Sequence, residues 1–206
     1  MDQGAATRAI VTVGKGRGFI VSAQDHYVIT AGHCLPFLPP SFANSFLSER
    51  TYAGLLGSLG EKPTVWAECL FVDPISDIAV LGSPDNQELF HEAEEYEELM
   101  ESAIPLSIAD SPTNGTAWLL SLEGLWFPCS VQHNGGMLRV SNATKGILGG
   151  MSGSPIVADD GSAIGVICTS GGHPGEVPTN GGPNPRLVHN LPFWLVRKLL
   201  RSSGLE

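Results

Sequence analysis

Three short blocks hold residue types that, brought together, could activate a hydroxyl for attack on a carbonyl. His33 stands in Thr30-Ala31-Gly32-His33-Cys34, directly after the apolar run Tyr27 to Ile29, so its imidazole is presented at a strand end. Asp77 stands in Asp73-Pro74-Ile75-Ser76-Asp77-Ile78-Ala79-Val80-Leu81 and opens an otherwise apolar strand. A carboxylate buried there is tolerable only if it is hydrogen-bonded, and a neighbouring imidazole would serve. Asp73 competes for the same role, but it precedes a proline and fits turn chemistry better. Ser152 stands in Gly149-Gly150-Met151-Ser152-Gly153-Ser154-Pro155-Ile156-Val157. Glycines on both sides let the backbone bend sharply, so that the N–H groups of Gly150 and Ser152 can converge on one oxygen while the hydroxyl stays exposed. Ser154 already turns into the following strand and is the poorer nucleophile. The chemistry these residues suit is acyl transfer: a base takes the hydroxyl proton, a fixed carboxylate sets the tautomer of the base, and N–H donors stabilise the oxyanion.

Each block taken alone has a plain structural reading, as a strand-end histidine, a turn carboxylate or a glycine-rich turn. The elements that must position them are mostly short strands. Arg8 to Val13, Gly18 to Ser22 and Tyr27 to Thr30 predict a meander, with turn residues at Gly14-Lys15-Gly16 and Gln24-Asp25. Pro36 to Arg50 lacks a clear period and predicts a loop or partly helical excursion; Thr64 to Val72 and Asp77 to Leu81 then complete a first barrel. Ser83-Pro84-Asp85 is a helix-start signal, and Leu89, Ala93, Tyr96, Met100 and Ala103 recur at helical spacing among seven glutamates between Glu88 and Glu101. This predicts an acidic amphipathic helix over about 84–103, with a solvated outer face, closing a first half of residues 1–104. A second half, 105–206, reads as strands at Thr116 to Ser121, Trp126 to His133, Met137 to Val140, Pro155 to Ala158 and Ala163 to Thr169. A long Gly/Pro-rich loop from Ser170 to Pro185 and a closing helix over about 192–201 follow.

Composition agrees with an all-β chain. Twenty-five glycines and fifteen prolines are set among short Val, Ile, Leu and Thr runs, and 42% hydrophobic residues in 206 suffice for a real core. The net charge of −10 argues against a nucleic-acid or anionic-membrane surface, since phosphate contacts need clustered Lys and Arg. The four cysteines (Cys34, Cys69, Cys129, Cys168) have neither metal-ligand spacing nor the density of a disulfide scaffold, and are expected to be reduced and mostly buried. Met1-Asp2-Gln3-Gly4 lacks the basic and apolar regions of a signal peptide, which predicts a cytoplasmic protein. The other histidines (His26, His91, His133, His173, His189) show no metal spacing, so neither a metal nor a cofactor is expected. The four tryptophans are scattered as core residues would be.

Together, the three blocks resemble the catalytic blocks of trypsin-like serine proteases, in the order His, Asp, Ser that separates them from α/β-hydrolases and subtilisins. The resemblance covers most of the chain. It implies two perpendicular β-barrels with the active site in the cleft between them. It also implies a serine endopeptidase acting on protein or peptide substrates, with His33, Asp77 and Ser152 as triad and the N–H groups of Gly150 and Ser152 as oxyanion hole. By position relative to Ser152, Gly146 and Ile147 would lie at the base or wall of the primary pocket and Cys168, Thr169 and Ser170 on the opposite strand. None is charged, so the side chain before the cleaved bond is expected to be small or medium and apolar. Asp159 and Asp160 precede Gly161 in a hairpin pattern and read as turn residues.

The chain departs from the extracellular members of that family at Met151, where they carry an aspartate that pairs with a newly cleaved N-terminus, and no cysteine in the preceding strand could pair with Cys34. It is more similar to bacterial and intracellular peptidases such as the HtrA type. The expectation is a regulated enzyme whose oxyanion loop, Lys145 to Gly150, is set by an activating partner, the substrate or a neighbouring domain. The competing reading is a catalytically silent relative that uses the cleft or the acidic helix as a binding surface.

Overall fold

The computed structural model describes residues 1–23, 25–40, 47–109, 114–171 and 176–202. Part of the expected 36–50 excursion, part of the 170–185 loop, Gln24 of the second turn and His173 lie outside them.

The chain opens with α1 (Gln3–Arg8), whose first turn is capped by Asp2 accepting the Ala5 amide at 3.0 Å. The first strand begins at Ile10 rather than at the predicted Arg8. The helix forms instead because Trp126 anchors it on the second half, its Nε1 donating to Thr7 Oγ1 at 2.9 Å. The strands β1 (Ile10–Val13), β2 (Gly16–Ser22) and β3 (His26–Thr30) make the expected meander, followed by a 3-10 turn at Gly32–Cys34. Then come β4 (Thr51–Ser58), β5 (Val65–Asp73) and β6 (Ile78–Gly82). All six close into a barrel in the order β1-β2-β3-β6-β5-β4. β4 escaped the pattern because Gly54, at φ +57°, and a register shift between Tyr52 and Leu56 break its alternation.

The acidic helix α2 (Phe90–Glu101) begins six residues later than predicted. Asp85 does not enter a helical first turn. Its Oδ1 accepts the Gln87 amide at 2.8 Å and its carbonyl accepts Leu89 N–H at 2.8 Å, which makes a separate turn. The predicted apolar face is the buried one: Tyr96 and Met100 are fully buried, and the Tyr96 hydroxyl donates to the His26 carbonyl.

A second antiparallel set follows: β7 (Gly115–Leu120), β8 (Trp126–Asn134), β9 (Met137–Ser141), β10 (Pro155–Ala158), β11 (Ala163–Val166) and β12 (Gly181–Pro185). Their order is β11-β10-β7-β8-β9-β12, and a bridge between Gly165 of β11 and Arg186, the residue after β12, brings the two edges together and closes the sheet on itself. β12 lies inside the expected long loop. Its Gly-Gly-Pro-Asn-Pro sequence carries no strand signal, and its pairing with β9 is interrupted between Gly181 and Asn184. After α3 (Leu187–Asn190), the closing helix α4 (Phe193–Ser202) packs Leu195, Val196 and Leu199 into the first barrel's core, and Lys198 sits 6.0 Å from the Tyr27 ring centre. Between the barrels, Leu106 N–H donates to Ile20 and Ala163 N–H to Ser107, so the connecting segment is stitched to both. Among the described residues no helix is long and apolar enough to cross a membrane.

Candidate active site

The sequence Thr30-Ala31-Gly32-His33-Cys34 leaves β3 and turns at once into a 3-10 turn, which swings His33 out of the barrel wall with half of its side chain exposed. Asp77 comes from the turn between β5 and β6 rather than from β6 itself, and its backbone is left-handed at φ +56°. Aspartate is among the few non-glycine residues that adopt that region readily. The conformation lets one carboxylate face the His33 residue twice: Oδ1 accepts the His33 amide at 2.9 Å, and Oδ2 lies 2.7 Å from Nδ1. An ionised carboxylate only accepts, so Nδ1 carries the proton and Nε2 is the basic nitrogen. Asp73 makes the local turn that was expected, its Oδ1 accepting the Ile75 and Ser76 amides at 2.9 and 3.2 Å.

The Ser152 block meets the His33 block where the barrels touch. The Sγ of Cys34 lies 3.6 Å from the Ser152 carbonyl, and Arg17 N–H donates to that carbonyl at 2.8 Å. Gly16 permits this approach; a side chain there would meet Cys34 Sγ at 2.6 Å and the Ser152 carbonyl at 2.7 Å. Gly153 is required on two counts, its φ of +83° and the Arg17 carbonyl, which occupies the place of any Cβ. Ser152 is half-buried, whereas Ser154 is 1% exposed and its Oγ has no hydrogen-bond partner among the described residues. Only Ser152 of the two can meet a bound molecule.

Gly150 is at φ +92°, and among the described residues neither its N–H nor that of Ser152 has an intrachain acceptor. Two donors two residues apart with no partner of their own can serve an incoming oxyanion. Met151 between them is fully buried in the second barrel's core, and its thioether accepts the Leu148 amide at 3.3 Å. Where the resembling extracellular enzymes use an ion pair, this chain places an apolar anchor.

Of the residues predicted to form a primary pocket, Ile147 is buried at 2% exposure with its amide on the Pro178 carbonyl, and Gly146 abuts Val177. Thr169 and Ser170 are exposed in the irregular segment after β11, which ends at Val166 rather than at the predicted Thr169. Cys168 is buried and turned away from them, its Sγ donating to the Asp77 carbonyl at 3.0 Å. Burial, reinforced by the Asp77 charge, raises the Cys168 thiol pKa, and burial raises that of Cys34 as well. All four cysteines are free and buried.

Three contributors escaped sequence reasoning. Asn184, fully buried, accepts the Cys168 and Thr169 amides on its Oδ1 at 2.9 and 3.2 Å and so fixes the segment that leaves β11. An asparagine between two prolines had read as loop. Thr30, inside the His33 motif, donates to the Arg17 carbonyl at 2.6 Å. Arg17 is 7% exposed and sends its guanidinium to the Leu120 and Ser121 carbonyls at 2.9 and 3.0 Å; a lone arginine in a glycine-rich hairpin gives no signal of burial. Among the described residues no group of three His, Cys, Asp or Glu side chains could hold a metal.

No protein-family model and no curated protein sequence matches the chain. Solved structures do. The serine protease of a human pathogenic astrovirus is 15% identical with a TM-score of 0.55, over 90% of this chain and 94% of that one. The inactive form of Rv3671c from M. tuberculosis is 16% identical with a TM-score of 0.55, over 98% and 90% of the two chains. The MamO protease domain of Magnetospirillum magneticum, in its apo form, is 18% identical with a TM-score of 0.52, over 87% and 93%. At such identities the likeness speaks for the fold, which is the chymotrypsin-like double barrel of the trypsin-like serine proteases.

Proposed function

We propose that this chain is a serine endopeptidase that hydrolyses peptide bonds through an acyl-enzyme. Ser152 is the nucleophile, His33 the general base and then the general acid, and Asp77 the carboxylate that orients His33 and stabilises its imidazolium. The Gly150 and Ser152 N–H groups bind the oxyanion. The observation that carries the reading is the pair of hydrogen bonds that Asp77 accepts from His33, 2.9 Å from the amide and 2.7 Å from Nδ1. A surface ion pair would need only one of these; together they fix both the tautomer and the ring's orientation, which is what proton transfer from a hydroxyl requires.

Gly146, Ile147, Cys168, Thr169 and Ser170 define the primary pocket in this reading, with Val177 narrowing its floor at Gly146. No charge faces it from these residues, so it takes a small or medium apolar side chain. Four buried free thiols suit a reducing compartment, and the reading extends to a regulated protease inside a bacterial cell acting on a dedicated protein substrate. Incubation of a diverse peptide library with the native chain and with Ser152→Ala tests it. Internal cleavage after small apolar residues, absent in the variant, is the expected result. A profile led by Arg or Lys would overturn the pocket assignment, and equal profiles from the two proteins would overturn the activity.

A further inference from the structure

We propose that Arg17 is a positioning residue which holds the oxyanion loop in place from within the chain, so that this loop needs no activator. The inference rests on the endopeptidase reading and concerns how its oxyanion hole is kept.

Arg17 belongs to β2 of the first barrel, yet its side chain crosses to the second. Nη1 and Nη2 donate to the carbonyls of Leu120 and Ser121, at the end of β7. Among the described residues no carboxylate lies within ion-pair distance of it. A guanidinium stays charged even where burial lowers its pKa, as it does here, so its burial is tolerated through these carbonyls, with the Glu123 charge opposing the effect of burial. The turn that follows them is tight: Ser121 N–H donates to the Leu125 carbonyl and Gly124 N–H to the Ser121 carbonyl. That turn carries Leu122, whose Cδ2 lies 3.4 Å from where a Gly150 Cβ would stand.

The Arg17 backbone reaches the other side of the same loop. Its N–H holds the Ser152 carbonyl at 2.8 Å, and its own carbonyl, held by Thr30, is packed against Gly153. One residue therefore governs both flanks of Gly150-Met151-Ser152: the guanidinium sets the turn that rests on Gly150, and the main chain fixes Ser152 and Gly153. Met151, buried beneath, anchors the loop from below. Displacing a reacting group by about 1 Å can cost on the order of 100-fold in rate, so a strut at this point carries kinetic weight.

Arg17 also lines a cleft of about 450 Å³ between the barrels, together with Gly16, Leu122, Glu123 and Gly150. A small cation can therefore reach the place its side chain would vacate, which supplies a readout that general loss of stability does not move. The test follows the rate of Ser152 labelling by a fluorophosphonate, corrected for folded fraction by circular dichroism. Variants are Arg17→Ala with and without millimolar ethylguanidinium, Arg17→Lys, and Leu122→Ala, a side chain that is 44% exposed and so dispensable to the fold. The expected losses are about 100-fold for Arg17→Ala, with partial recovery by ethylguanidinium. Arg17→Lys should lose about tenfold, the worth of one of the two hydrogen bonds, and Leu122→Ala should be several-fold slower. Native labelling rates per folded molecule in Arg17→Ala would overturn the inference while leaving the endopeptidase reading intact. If Arg17→Ala does not fold, a native rate in Leu122→Ala overturns it in the same way. A native chain that is itself unlabelled would overturn the endopeptidase reading and the inference together.

Discussion

Replacing Asp77 with Asn removes one charge and changes almost nothing else. Asn tolerates the left-handed backbone at φ +56° as well as Asp does, so the turn between β5 and β6 keeps its shape. The effect comes from where the amide must point. If the Asn oxygen stays on the His33 amide at 2.9 Å, the NH₂ group takes the place of Oδ2, 2.7 Å from Nδ1, and forces Nδ1 to accept. The proton then sits on Nε2, where a base for Ser152 is needed. Flipping the amide restores the tautomer but sets NH₂ against the His33 N–H, leaving a donor without an acceptor at a cost of about 1–3 kcal/mol. In assembled sites of this kind the exchange costs about 10⁴ in kcat, or roughly 5.4 kcal/mol of barrier. The second-order rate of fluorophosphonate labelling at neutral pH reads this directly, with thermal unfolding alongside to confirm an unchanged fold. An Asp77→Asn protein labelled within about tenfold of native would refute the reasoning, because it would mean that the carboxylate does not set the tautomer of His33.

Other perturbations separate structural from chemical roles. Asp73→Ala should lower stability by about 1 kcal/mol through the lost turn bonds yet leave labelling within a few-fold, the reverse of Asp77→Asn, as chemical denaturation and labelling together would show. Gly153→Ala should fail to fold or lose more than about 4 kcal/mol, since its methyl would occupy the Arg17 carbonyl. Gly150→Ala, with only Leu122 nearby at 3.4 Å, should cost about 1–2 kcal/mol of backbone strain by the same measurement. Burial raises Cys129 to about 12 and Cys69 to about 11, so these thiols stay protonated in the folded chain while those of the unfolded chain ionise from about pH 8.5. Their contribution to stability is full below that pH and is lost as pH rises towards 12; the melting temperature should fall over this window, and less steeply in Cys129→Ala. All four cysteines should resist iodoacetamide at pH 8 until denaturant is added.

Much of this architecture can be read in the chain because local pattern and tertiary burial agree. β2, β3, β5 to β11 and the closing helix announce themselves as runs of Val, Ile, Leu and aromatic residues bounded by turn residues, and the three motif blocks sit at the ends of β3, β6 and β10. Most of what could not be read was set by distant partners, and the start of α2 by a local turn. α1 exists because Trp126 receives it, β12 because β9 and the bridge to Gly165 pair with it, and the late start of α2 reflects the side chain of Asp85 preferring its own turn. At the site, the identities of His33 and Asp77 were legible, but the left-handed backbone that makes Asp77 grip His33 twice was not, since aspartate carries no obligate signal for it. Asn184 and Arg17 were invisible for the opposite reason. Polar residues in Gly/Pro-rich context read as solvated, and only the assembled barrels bury them against carbonyls and amides.

Activation of the Ser152 hydroxyl by His33 is the step on which the proposed chemistry depends. The most direct measurement is intact mass and peptide mapping after fluorophosphonate treatment of the native chain, Ser152→Ala and His33→Ala. A single adduct on Ser152 in the native protein, absent from Ser152→Ala and from His33→Ala under the same conditions, is the predicted result. An adduct elsewhere, or native-rate modification of Ser152 without His33, would contradict it.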